Sequence, residues 1–133
     1  MNITSQSKTN ASGKPWDLEE RMFLFAQRVR RFLRRVPRTI ANQEYGRQLI
    51  RASGSVGANY IEACECLGKK DHQMHLKISR KEARESRHWL RLIDTGGEKD
   101  VEDERQELIQ EATELVSILS SILHKSKKAK EVV

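Results

Sequence analysis

At 133 residues the chain is sized for one domain with a single core, and its formal net charge is +6. Charged residues make up 33% and aromatics 5%, the composition of a helix-rich protein. No apolar run approaches the roughly 18 residues of a membrane span, so no membrane partner is expected.

The stretch from Met1 to Lys8 has no apolar h-region and is not read as a secretory signal. Residues 1–14 are mostly small and polar and are expected to form a disordered leader. Residues 15–125 are expected to form one bundle, and 126–133 a basic tail. Helix one starts at Asp17, with Glu20 three residues on in a capping-box arrangement. Leu18, Met22, Phe25, Val29, Phe32 and Val36 then recur at steps of four and three, one stripe facing a core, until Pro37 stops the helix. Asn42 is placed to cap helix two, striped by Leu49, Ser53, Val56, Tyr60, Ala63 and Leu67, with Gly68 as the left-handed residue that closes it. Asp71 caps helix three, which reaches Asp94 with Leu76, Ser79, Ala83, Ser86, Leu90 and Ile93 as its stripe. Thr95-Gly96-Gly97 is a turn. Helix four begins near Asp100, where its acids suit the positive end of the helix dipole, and its stripe is Leu108, Ala112, Leu115, Leu119 and Ile122.

No segment alternates like a strand. The expected fold is all-α, an antiparallel up-down-up-down four-helix bundle. Helix four has a second apolar side in Ile109, Val116, Ile118 and Leu123. A lone bundle would leave that side in water, which predicts self-association into a closed homo-oligomer.

Arg51 to Ala63 is rich in Gly, Ala and Ser inside a helical pattern. A helix-interior glycine costs roughly 1 kcal/mol relative to Ala, so Gly54 and Gly57 predict the close approach of another helix. Arg51, Asn59 and Glu62, with Glu82, Arg84 and Glu85 of helix three, are expected to form a structural polar network, since an unpaired buried charge costs several kcal/mol.

Catalytic chemistry has no support: nucleophile elbow, phosphate loop and dinucleotide fingerprint are all missing. Only Glu85-x-x-His88 fits a di-metal bundle, and Cys64, Cys66, His72 and His75 lack the usual zinc spacings. No catalytic residue, metal or cofactor is therefore assigned. Cys64 reads as a small core residue, and two cysteines placed where they cannot bridge each other suit a reducing cytoplasm.

The charges are segregated. Six arginines and no acid lie between Arg28 and Arg38, whereas Glu98 to Glu114 holds eight acids against Lys99 and Arg105. Arg28, Arg30, Arg31, Arg34, Arg35 and Arg38 are the candidate nucleic-acid-binding residues, with Lys125, Lys127 and Lys128 of the tail adding to them. Aromatics for base stacking are sparse, so contact would fall on the phosphate backbone. The competing reading pairs the arginines with the acidic start of helix four, in the same chain or a neighbour, and makes the protein a structural or interaction module without a nucleic-acid role.

Gln48-Leu-Ile-Arg-Ala-Ser-Gly-Ser-Val-Gly-Ala-Asn-Tyr-Ile-Glu-Ala63 and Lys81-Glu-Ala-Arg-Glu-Ser-Arg-His-Trp-Leu-Arg-Leu92, with Lys69-Lys70-Asp71, resemble the signature blocks of the bacterial four-helix-bundle proteins encoded in intervening sequences of 23S ribosomal RNA genes. The resemblance covers about residues 17–124 and departs at His72-Gln73-Met74-His75, where relatives tend to carry an aromatic. It implies a cyclic homopentamer. It also extends to the accessory protein of diversity-generating retroelements, a similar bundle that binds nucleic acid and a reverse transcriptase, so RNA or DNA and such a protein are the implied partners. No enzymatic activity is implied.

Overall fold

The structure, a computed structural model, describes residues 17–132, and the side chains of 17–128. The expected leader lies outside the described residues. Four helices follow one another: α1 (Leu18–Leu33), α2 (Ile40–Glu65), α3 (Lys69–Leu92) and α4 (Lys99–Val132). Each packs against two neighbours, α1 and α3 both against α2 and α4, so α1 and α3 stand at diagonal corners of an antiparallel bundle. No strand occurs among the described residues.

The helical stripes become the core. Met22, Phe25, Val29 and Phe32 of α1 meet Leu49 and Val56 of α2, Leu76 and Leu90 of α3, and Leu108, Leu115 and Leu119 of α4, all at most 1% exposed. The small residues of α2 are its contact surface with α3. Ala52, Ser53 and Val56 and the facing Ser79, Ala83 and Ser86 are almost fully buried, and the Ser79 hydroxyl donates to the Val56 carbonyl at 2.7 Å. That bond requires close backbones, which larger side chains would hold apart. Gly57 serves α1: a Cβ there would lie 3.4 Å from the Met22 Cβ. Gly54 differs from the expectation of helix contact, since nothing lies within 4 Å of its Cβ position.

Several helix ends differ from the sequence reading. Asp17 caps α1 by accepting from the Glu19 amide. The helix stops at Leu33, before Pro37, because Arg34 and Arg35 donate three residues back and tighten the last turn. Thr39, not Asn42, caps α2: its hydroxyl accepts from the Asn42 amide. Asn42 is instead buried, and its side chain joins two loops. It donates to the carbonyls of Pro37 (2.9 Å) and Asp94 (2.8 Å) and accepts from the Asp94 amide (2.9 Å).

At the other end α2 stops at Glu65, so Leu67 is fully exposed, and Gly68, with a negative φ, precedes α3 rather than closing α2 in a left-handed turn. Asp71 falls inside the first turn of α3. His72, at the departure from the family pattern, places Nδ1 2.7 Å from the Ala63 carbonyl, which also accepts from the Cys66 amide at the end of α2. Cys64 is exposed, not a core residue, because it lies on the outer side of that last turn.

α4 continues helically through the expected basic tail to Val132. Its second apolar side is not left in water either. Val116 and Leu123 are buried and Ile109 and Ile118 half-buried, because α1 and α3 cover both flanks; Ile122, expected in the core stripe, is only half-buried. The exposed large apolar residues lie elsewhere: Phe23 on α1 and Ile50 and Ile61 on α2 are among them.

Candidate nucleic-acid interface

The arginine run divides by helical geometry. On the flank of α1 toward α4, Arg21 makes a bidentate pair with Glu111 (2.8 Å to each oxygen) and reaches Glu114 at 2.7 Å. Hydrogen bonding to Glu111 outweighs burial and raises the Arg21 pKa above its ordinary value. One heptad on, Arg28 donates to Glu104 at 3.0 and 3.2 Å. Arg28 is thus held by the acidic start of α4. Arg21, the better-paired of the two, lies outside the run and went unnoticed in the sequence; its signal was the seven-residue step to Arg28.

Arg30, Arg31, Arg34, Arg35 and Arg38 are exposed, and none has an acidic partner among the described residues. Arg30, Arg34 and Arg38 border a groove of about 580 Å³ between the C-terminal end of α1 and the start of α2. Arg47 borders it from the α2 side, a fourth cation that a reading of α1 alone misses. Leu33, Val36, Pro37 and Ile50 give the groove apolar walls, and no carboxylate lines it. Asn42 lines it too, so the loop carrying Arg38 is anchored by the hydrogen bonds that Asn42 makes to Pro37 and Asp94. Guanidinium groups around a concave surface offer charge-assisted hydrogen bonds to phosphate oxygens.

Lys125, Lys127 and Lys128 are exposed near the C-terminal end of α4, the opposite end of the bundle from the groove.

The expected polar network is only partly assembled. Arg51 lies 3.3 Å from Glu82 and 3.6 Å from Glu85. The Glu82 side chain is 7% exposed while Arg51 is half in solvent, so the guanidinium shields a nearly buried carboxylate. Asn59 is drawn elsewhere, donating to the Ser55 carbonyl and meeting His75 at 3.4 Å. Glu62 and Arg84 are exposed and join neither group. Among the described residues no three His, Cys, Asp or Glu side chains converge in a way that could hold a metal. No helix of the described residues is long and apolar enough to cross a membrane.

The family model described as 23S rRNA-intervening sequence protein matches residues 16–121. A crystal structure of a protein with unknown function from the S23 ribosomal protein family of Bacteroides thetaiotaomicron has the same fold. It aligns with a TM-score of 0.66 at 24% identity over 80% of this chain and 98% of that one. No curated protein matches the chain.

Proposed function

The chain belongs to the 23S rRNA-intervening sequence protein family, and we propose that it is a non-enzymatic, cytoplasmic nucleic-acid-binding bundle that works as a homo-oligomer. The observation that carries this reading is the α1–α2 groove, where Arg30, Arg34, Arg38 and Arg47 converge with no carboxylate among the lining residues. Such a site neutralises phosphates and releases their counterions, giving affinity that depends on salt and little on base sequence. A surface meant for a carboxylate-rich face of the same chain would be occupied by it, as Arg28 is by Glu104.

Self-association is supported by a different surface from the one that periodicity suggested. Gly54 and Ile61 share one outer face of α2, outside the residues that line the groove, and Phe23 protrudes from α1. Covering these apolar groups in a closed ring would remove them from water, and the family resemblance makes a pentamer the ring to test. A ring would repeat the cationic groove and raise avidity for a long polyanion. It would also let the protein act as a scaffold for a reverse transcriptase or another partner.

Titration of labelled single-stranded RNA and duplex DNA over a salt series, with light-scattering mass on the same samples, tests the proposal. The wild type should bind with a steep negative salt slope, and replacing Arg30, Arg34, Arg38 and Arg47 with Gln should remove groove binding while leaving the mass unchanged. Absence of binding by micromolar wild type at low salt refutes it. A mass that falls in the Gln variant assigns the arginines to assembly instead.

A further inference from the structure

The outer face of α3 bears a second cationic surface. Lys70, Met74, Lys77, Lys81, Arg84, His88 and Arg91 follow one another at steps of four and three, and all seven are exposed. At 1.5 Å per residue they form a ridge about 32 Å long. None of its Lys or Arg residues has an acidic partner among the described residues. The acids beside it are few: Glu85 is held by Arg51 at 3.6 Å, and Asp71 stands at its N-terminal edge. On the side toward α4 the ridge is widened by Arg80 and Arg87, which meet the hydroxyls of Ser120 (3.4 Å) and Thr113 (3.3 Å) rather than carboxylates. Near its start Lys70, Lys77 and Lys81 border a shallow trough of about 390 Å³.

This face is unlike a protein-docking surface. The cores of protein interfaces are depleted in Lys and enriched in aromatics, whereas the ridge is lysine-rich and has one exposed apolar group, Met74. Cations repeating every three or four residues along a straight helix, about 5 Å apart, match a linear array of phosphates better than a compact acidic patch. Because α3 is diagonal to α1, the ridge faces away from the α1–α2 groove.

We propose that the outer face of α3 is a second phosphate-backbone surface, independent of the groove, so that one bundle holds two nucleic-acid strands on opposite flanks. The function that follows is bridging: bringing separate strands, or distant parts of one strand, together. The partner class is shared with the groove reading, but the residues and the readout are separate.

Two measurements on the full chain test it. The first is the salt dependence of binding to a labelled single strand. The second is co-capture of a fluorescent, non-complementary strand by protein bound to an immobilised one. Four proteins are compared: the wild type; a groove variant with Arg30, Arg34, Arg38 and Arg47 changed to Gln; a ridge variant with Lys77, Lys81, Arg84 and Arg91 changed to Gln; and the combination. The groove variant should keep residual binding through the ridge. The ridge variant should still bind one strand with the groove's own salt slope and should co-capture less than the wild type, whereas the residual binding of the groove variant should show a slope of about −3, at roughly 0.7 for each of four ridge contacts. The combination should bind neither strand.

Full co-capture by the ridge variant overturns the proposal, because bridging then comes from grooves on separate subunits. Loss of all binding in the groove variant overturns it while leaving the groove reading intact. A ridge variant that binds nothing, beside a groove variant that binds fully, refutes the groove instead. The milder pair Lys81→Gln/Arg84→Gln, placed in the groove variant and read by the salt slope of its residual binding, keeps the test valid should the fourfold ridge variant fold poorly.

Discussion

Replacing Asn42 should destabilise the bundle, and Asn42→Asp is the informative substitution. Asn42 makes three hydrogen bonds of 2.8–2.9 Å, two as donor and one as acceptor, and is 4% exposed. At about 1 kcal/mol net each they contribute about 3 kcal/mol. Pro37 and Asp94 are exposed, so water recovers part of that for Asn42→Ala, leaving about 2 kcal/mol. Asp has the same shape and keeps the acceptor for the Asp94 amide. It loses both donors, however, and turns a carboxylate toward two carbonyl oxygens, so Asn42→Asp should cost at least as much as the alanine. Local helix preferences predict the opposite sign, since an acid in the first turn of α2 suits the helix dipole. Urea unfolding of the three proteins decides the matter, and the melting temperature should fall by about 6–12 °C in a domain of this size. An Asn42→Asp protein within about 0.5 kcal/mol of wild type would refute the hydrogen-bond account.

Gly96 has φ +73°, and a Cβ there would lie 2.8 Å from the Pro37 Cγ. Gly96→Ala should therefore lose about 2–3 kcal/mol in urea unfolding, while Gly97→Ala, at φ +81° in open space, should lose only the backbone cost of about 1–2 kcal/mol. Hydrogen bonding from Arg105, then from Gln106, draws the Glu102 carboxyl down to about 2. A depressed acid adds stability above its ordinary pKa, near 4.5, and loses it as pH falls through the folded value, near 2. Its side chain is 37% exposed, so solvent screening holds the contribution below about 1 kcal/mol, and Glu102→Gln should flatten the acid limb of a stability–pH curve between those values.

The core was legible because burial and helical periodicity are one signal: Met22, Phe25, Val29 and Phe32 could be picked out by spacing alone. Helix ends were less legible because two residues often compete for one role. Thr39 and Asn42 are both good caps, and the choice rests on Asp94, 52 residues away, which gives the Asn42 side chain a better use. The second apolar side of α4 misled for a related reason. Periodicity shows that a flank is apolar but not whether the same chain supplies its cover, and α1 and α3 do. At the cationic surfaces, counting charge by segment obscured phase. Lys69 to Arg91 carries eight bases against three acids, but its exposed cations become a ridge only when aligned on the 3.6-residue turn.

Phase also separates the two readings of the arginine run. The antiparallel register that sets Arg21 against Glu111 and Arg28 against Glu104 advances one heptad at a time. A further heptad brings Arg35 opposite Gly97, before α4 begins at Lys99, so the acidic start of α4 runs out just as the run becomes dense. Pairing among the described residues therefore accounts for Arg28 and leaves Arg30, Arg31, Arg34, Arg35 and Arg38 without a counter-charge there. Like charges at spacings of three and four repel by a few tenths of a kcal/mol per pair, a standing cost in the unliganded protein. Bound phosphates would relieve that cost, which is why the affinity losses from single groove-arginine substitutions should sum to more than the loss from the combined substitution.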